Sequence, residues 1–293
     1  MEIAAMHIFV TGATGWVGTA IVEELVRAGH KVSGLVRSIE KAKAIAVIGA
    51  RLVPGSLDDL DLLGETAAKA DAVIHTAFNH DFSKFLDNAA QDERAIHALG
   101  SALAGSDRPL IVTSGLLGFP LGATEADLPN PASPRKSEVA ARTLAGQGIR
   151  AATVRLAPSV HGIGDYGFVP ILVRIARETG VSAYPDDGRN CWSGVHRLDA
   201  ARLYRLALES GVTEAAYHAV ADEAVPFREI AEVIGRQLGL PVESRPREHF
   251  GWFANMAATN MAASSAHTRW LLGWQPTCRG LIDDLDQPGY YAR

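Results

Sequence analysis

The chain has 293 residues, 47% of them hydrophobic and 21% charged, with a formal net charge of −5 at pH 7. That length can bury a large core and allows one domain or two. The charge balance gives no reason to expect nucleic-acid or membrane partners. Two cysteines, Cys191 and Cys278, lie far apart without metal-ligand spacing and read as free thiols in a reducing compartment, with no metal expected. No apolar run approaches the roughly 20 residues of a membrane span. The start, Met1-Glu2-Ile3-Ala4-Ala5-Met6, is too short and too acidic for a signal peptide, so a cytoplasmic protein is expected.

In chain order, the apolar run His7-Ile8-Phe9-Val10 reads as a strand leading into Thr11-Gly12-Ala13-Thr14-Gly15-Trp16-Val17-Gly18 and then an apolar-periodic helix. Strand, glycine-rich turn and helix in that order are the fingerprint of a dinucleotide site. Gly12 permits the tight turn, Gly15 a close backbone approach to a pyrophosphate, and Gly18 close packing of helix on strand. Backbone N–H groups at the helix start then face the phosphates. Further strands are predicted at 31–37, 51–55, 71–76, 110–114 and 151–156. Helices are predicted at 39–48, 57–68, 82–104 and 137–145. Such alternation predicts an α/β protein of Rossmann type, a doubly wound parallel sheet binding ligands beyond the carboxyl ends of its strands.

From Pro158 onward glycine and proline come more often and the alternation stops. Helices are expected at 169–178, 198–209, 227–238 and 268–272, with short strands near 216–219 and 242–244. The expected division is a dinucleotide-binding domain over 1–160 and a smaller substrate lobe over 161–293, with a return to the first domain around 195–220.

Five segments together resemble the short-chain dehydrogenase/reductase superfamily on its extended side. They are the glycine motif, Ala72-Val73-Ile74-His75-Thr76-Ala77, Arg155-Leu156-Ala157-Pro158-Ser159-Val160-His161-Gly162, Val195-His196-Arg197-Leu198-Asp199-Ala200-Ala201 and Leu272-Gly273-Trp274-Gln275-Pro276. The resemblance implies a Rossmann domain, NAD(P) and a C-terminal substrate lobe, and is closest to an atypical subgroup lacking the usual catalytic residues. Extended members carry Tyr-x-x-x-Lys, with a Glu four residues beyond, at the helix after the fifth strand. Here the stretch is Asn130-Pro131-Ala132-Ser133-Pro134-Arg135-Lys136-Ser137-Glu138. Registering on Glu138 puts Asn130 at the Tyr and Pro134 at the Lys, registering on Lys136 puts Ala132 at the Tyr, and no tyrosine precedes Tyr166.

Arg37 ends the second strand, followed by Ser38 and with no acid beside it. An arginine there suits a 2′-phosphate, which favours NADP(H), with NAD(H) as the alternative. By the resemblance, Ser56 and Leu57 stand beside the adenine, Thr76 and Ala77 line the cofactor edge, and Pro158 and Val160 wall the nicotinamide. Thr113-Ser114 end the fifth strand, where a hydroxyl polarises a carbonyl, so Ser114 is the candidate polariser. A histidine has a pKa suited to proton donation. His80 is the first candidate, His161 the reserve, and His196 a weaker one. Trp192, Phe250, Trp252 and Phe253 read mainly as lobe core, with one or two lining an apolar pocket. The expected activity is NADP(H)-dependent reduction of a carbonyl or related small molecule. An epimerase or dehydratase of sugar nucleotides and a non-catalytic NADP sensor are the alternatives. A small-molecule substrate is the expected partner, and a homodimer is allowed.

Overall fold

The computed structural model describes residues 4–40 and 42–292. Half of the stretch read against a signal peptide, residues 1–3, therefore lies outside the described residues, as does residue 41 within the predicted 39–48 helix.

The first half alternates as its sequence pattern requires: β1 (His7–Thr11), α1 (Trp16–Arg27), β2 (Lys31–Val36), α2 (Lys43–Val47), β3 (Arg51–Pro54), α3 (Leu60–Ala68), β4 (Ala72–His75), α4 (Phe85–Ser101), β5 (Leu110–Gly115), α5 (Ser137–Gly146) and β6 (Ala151–Leu156). Beyond it come β7 (Ser159–His161), α6 (Phe168–Thr179), β8 (Ser182–Pro185), β9 (Cys191–His196), α7 (Arg197–Glu209) and β10 (Ala216–Ala219). The chain ends with β11 (Asp222–Pro226), α8 (Phe227–Leu238), β12 (Val242–Arg245), α9 (Ala254–Ala258), α10 (Ala266–Leu272) and α11 (Leu281–Leu285).

The main sheet has seven strands in the order β10-β6-β5-β4-β1-β2-β3, every neighbouring pair parallel. This is a Rossmann-type doubly wound α/β sheet. Its order reverses between β1 and β4, the crevice where such sheets bind ligands. Successive strand residues point to opposite faces. Ile8, Val10, Ile74 and Ile111 therefore pack with Ile21 and Leu25 of α1 and Leu203 and Tyr204 of α7. Phe9, Val73 and Val112 pack on the other face with Leu63, Ile96, Leu99 and Leu144. A separate core joins Leu172 of α6, Ile230 and Ile234 of α8, Trp192, Phe253 and Leu285.

Three predicted helices are shorter than expected: α2, α4 and α3, which begins at Leu60 rather than at 57. Ala42 supplies no side-chain cap to α2, and Gly49, at φ +102°, turns the chain away just past its end. In the 82–104 stretch, the Asp81 carboxylate accepts from the Ser83 amide and winds Phe82–Lys84 into a 3₁₀ turn before α4 begins. The strands β7, β8, β9 and β11, three to six residues each, were not anticipated. They form two small sheets, β11-β9-β7 and β12-β8. No helix among the described residues is long and apolar enough to cross a membrane.

Candidate active site

The glycine turn packs closely against the end of β4. Gly12 has φ +67°, and a Cβ there would lie 2.7 Å from both the Ala77 amide nitrogen and the Thr76 hydroxyl. A Cβ on Gly18 would lie 2.0 Å from the Gly12 carbonyl oxygen, so this glycine lets the helix close onto the turn rather than onto the strand. At Gly15 an added Cβ meets only the Gly12 oxygen, at 3.1 Å, and is otherwise open. Helix α1 has neither a side-chain cap nor an acid in its first turn. Its first N–H groups and its dipole thus remain available to an anion, and these residues fit the dinucleotide that the fold implies. Thr14 at the turn is exposed, and Trp16 and Val17 are half-buried.

The strand ends are stitched together. The Thr76 hydroxyl donates to the Thr11 carbonyl at 2.8 Å. The Ala77 amide donates to Thr11 Oγ1, which donates to His75 Nδ1 at 2.8 Å. His75 Nε2 then donates to buried Asp92 at 2.9 Å, and Asp92 also accepts from the Ser137 hydroxyl at 2.5 Å. Ser137 in turn accepts from Arg135 Nε at 3.0 Å. A carboxylate only accepts, so Asp92 takes the Nε2–H of His75, and through Ser137 the relay holds Arg135.

Arg135 was not singled out from the sequence. Its guanidinium donates to the Thr113 carbonyl at 3.2 Å and lies 4.4 Å over the Phe78 ring, placing a cation at the carboxyl ends of β4 and β5. Lys136 donates instead to the Pro131 carbonyl. Thr113 shares its hydroxyl with Tyr204, whose phenol is pushed well above its usual range, first by burial. The Ser114 hydroxyl, next along β5, has no hydrogen bond to any described residue.

His80 stands at the solvent edge of the loop after β4, its ring edge-on to Phe78 and Phe82. Its neighbours still cover enough of the imidazole that desolvation holds its pKa below the ordinary 6.5, and the Arg135 charge acts in the same direction. Trp16 Nε1 donates to the Val160 carbonyl at 2.7 Å, so the glycine turn and the segment past β6, with half-buried Pro158, come together.

His161 is not brought to this group. Its ring is 0% exposed, Nδ1 bonds Asp284 of α11 at 2.9 Å, and it packs against His196. Burial against α11 fits a fastening role and leaves no path to a substrate at β5. His196 caps α7. Arg37 is exposed at the end of β2 and makes no ion pair with a described residue, and Ser38 beside it is half-buried. Ser56 donates to Asp59 at 2.9 Å in a local turn, with half-buried Leu57 next to it. Trp192, Phe250 and Phe253 are core, whereas Trp252 is exposed.

Residues 12–153 match the NAD(P)H-binding family. The chain belongs to the short-chain dehydrogenase/reductase superfamily. It is 45% identical over 295 residues to an uncharacterized protein of Schizosaccharomyces pombe, covering 98% of this chain and 100% of the relative. It is 28% identical over 312 residues to a 3-diazoavenalumate denitrifying reductase of a Streptomyces species, covering 96% and 99%. Among solved structures, a UDP-glucose 4-epimerase of Thermotoga maritima superposes with a TM-score of 0.75 at 18% identity, covering 98% of each chain. Glu138 pairs with buried Arg155 of β6 at 2.6 Å. Arg135 lies one residue past Pro134 and three before Glu138.

Proposed function

We propose that the protein is an NADP(H)-dependent reductase of small carbonyl compounds that works without the usual tyrosine and lysine. The observation that carries this reading is the Ser114 hydroxyl. It is unengaged within the protein at the end of β5, while Arg135 is anchored on the carbonyl of the preceding residue. When bound, NADPH supplies a hydride to the carbonyl carbon and leaves as NADP⁺, while the carbonyl oxygen takes a proton. Ser114 donates a hydrogen bond to that oxygen, and a donor already in place does not reorganise as the negative charge develops. Arg135 stabilises the same charge. His80, on the loop above, delivers the proton. His161 is left out because it is fully enclosed.

The similarity to a named reductase along nearly the whole chain supports reduction over epimerisation. An activity screen over aldehydes and ketones with NADPH tests the reading, and absence of turnover with every carbonyl offered would overturn it.

Arg37 gives the cofactor preference. A charge-assisted contact to the 2′-phosphate is worth about 1.5–3 kcal/mol, or roughly ten- to a hundredfold. NADPH is therefore expected to bind more tightly than NADH, and Arg37→Ala to remove the difference. Calorimetric titration of both nucleotides checks it, and equal affinities in the wild type would refute it.

The two neighbouring cations are separable. Lys136→Met is expected to change turnover by less than about tenfold. Arg135→Met should lower kcat/KM by roughly tenfold or more, the worth of one charged hydrogen bond. It should also raise the His80 pKa, because Arg135 now depresses it. Imidazole titration followed by NMR reads that shift, and an unmoved His80 would place Arg135 outside the site.

A further inference from the structure

We infer that the cleft above Ser114 takes a planar aromatic carbonyl compound, its ring lying against Phe82 and Trp252. This rests on the reductase reading above and names its substrate class. A run of rings leads out from the catalytic group: Phe78 to Phe85 at 5.8 Å, Phe85 stacked on Phe82 at 6.3 Å and 13°, and Phe82 to Trp252 at 5.6 Å and 32°. The last contact joins the loop after β4 to the segment Arg247–Phe253.

Both outer rings keep solvent access, Trp252 at 62% and Phe82 at 41% exposed. Trp252 is exposed by a specific backbone device. Gly251 breaks its 3₁₀ helix at φ +54°, ψ −130°, a conformation that side-chain-bearing residues rarely adopt. Phe250 and Phe253, on either side, are buried, while the indole between them turns outward. Leu117, Leu121 and Leu128, which follow β5, are also exposed at 55–71%. The exposed rings of Phe82 and Trp252 thus meet beyond the carboxyl end of β4, and exposed apolar patches mark binding surfaces.

The lining selects shape. Arg135 already covers one face of Phe78, so the outer rings, Phe82 and Trp252, are the ones that offer solvent-accessible surface. Flat rings gain from offset stacking on such faces, which a puckered saturated ring cannot match. The carbonyl then points inward to Ser114, with the ring outward.

Benzaldehyde and cyclohexanecarbaldehyde share a carbon skeleton and differ in planarity, and the saturated aldehyde is the more electrophilic. With saturating NADPH, kcat/KM for benzaldehyde is expected to exceed that for cyclohexanecarbaldehyde by about tenfold, the scale of a stacked ring pair. Trp252→Ala and Phe82→Ala should each raise the benzaldehyde KM several-fold with kcat nearly kept. Trp252→Ala, which touches no proposed catalytic residue, should leave NADPH affinity and cyclohexanecarbaldehyde turnover within about twofold. Equal efficiencies, or equal losses on both aldehydes, would overturn the aromatic assignment and leave the reductase reading standing. If neither aldehyde is reduced, calorimetric titration of each into the NADP⁺-loaded protein decides. Benzaldehyde binding weakened by Trp252→Ala would keep the aromatic site while the reductase reading fails, and no binding would overturn the site.

Discussion

Glu138→Ala is expected to destabilise the fold by about 3–5 kcal/mol, the cost of leaving a buried charge without its partner. The Arg155 guanidinium is 0% exposed. Its Nε and Nη2 donate to the two Glu138 oxygens at 2.9 and 2.6 Å. Its remaining donors go to the Thr124 and Asp127 carbonyls at 3.2 and 2.5 Å and to His218 Nε2 at 2.9 Å. His218 can accept because its Nδ1–H donates to the Ser264 carbonyl, and desolvation keeps its pKa below the ordinary value. The ring of Phe119 lies 4.1 Å from the guanidinium. One arginine on β6 thus pins the long segment between β5 and α5, and the alanine variant would leave it charged in a dry site. Urea denaturation, comparing midpoints at constant slope, measures the change. A loss below about 1 kcal/mol would mean that water replaces the carboxylate and that the pair is worth no more than an exposed one.

The second large effect is chemical. His80→Ala is expected to slow the single-turnover reduction by about 10²–10⁴-fold, the usual worth of a positioned general acid. The sign of the pH dependence follows from the donor form. Only the imidazolium can give a proton, so the wild-type rate falls as pH rises through the His80 pKa. That pKa lies below 6.5, so the fall is centred on the acid side of neutrality. The alanine variant should show a flat profile over the same range. Wild-type rates and an unchanged profile in His80→Ala would move the proton source to ordered water.

The parts of this site set by local pattern were legible in the sequence. Gly12, Gly15 and Gly18 announce a turn that a Cβ would block, and the apolar strand before them fixes where it stands. The place of Ser114 near a strand end is legible because the apolar run Leu110-Ile111-Val112 precedes it. His161 misleads for a reason of geometry: alternation along β7 leaves Val160 half-buried beside the glycine turn and sends the His161 side chain into the interior. Arg135 was hidden because its contacts are tertiary. Only its bond to Ser137, which Asp92 holds in place, and its reach to the Thr113 carbonyl single it out from Lys136. Trp252 looked like its core neighbours, since composition does not reveal that Gly251 reverses the backbone. The strands β7 to β9 and β11 were too short and too rich in glycine, proline and polar residues to register as strands.

The return of the chain in β10 bears on how the protein can be cut. β10 pairs with β6 at the sheet edge, and α7 covers the face that α1 shares with the strands. A fragment ending at residue 160 would keep the glycine turn and all the catalytic candidates except His161 and His196. It would nonetheless expose the β6 edge as an open row of amides and carbonyls, with an uncovered apolar surface beside it. Such an edge recruits other chains. The dinucleotide-binding half is therefore a unit in space but not in sequence, and its solubility is carried by residues that lie beyond position 195.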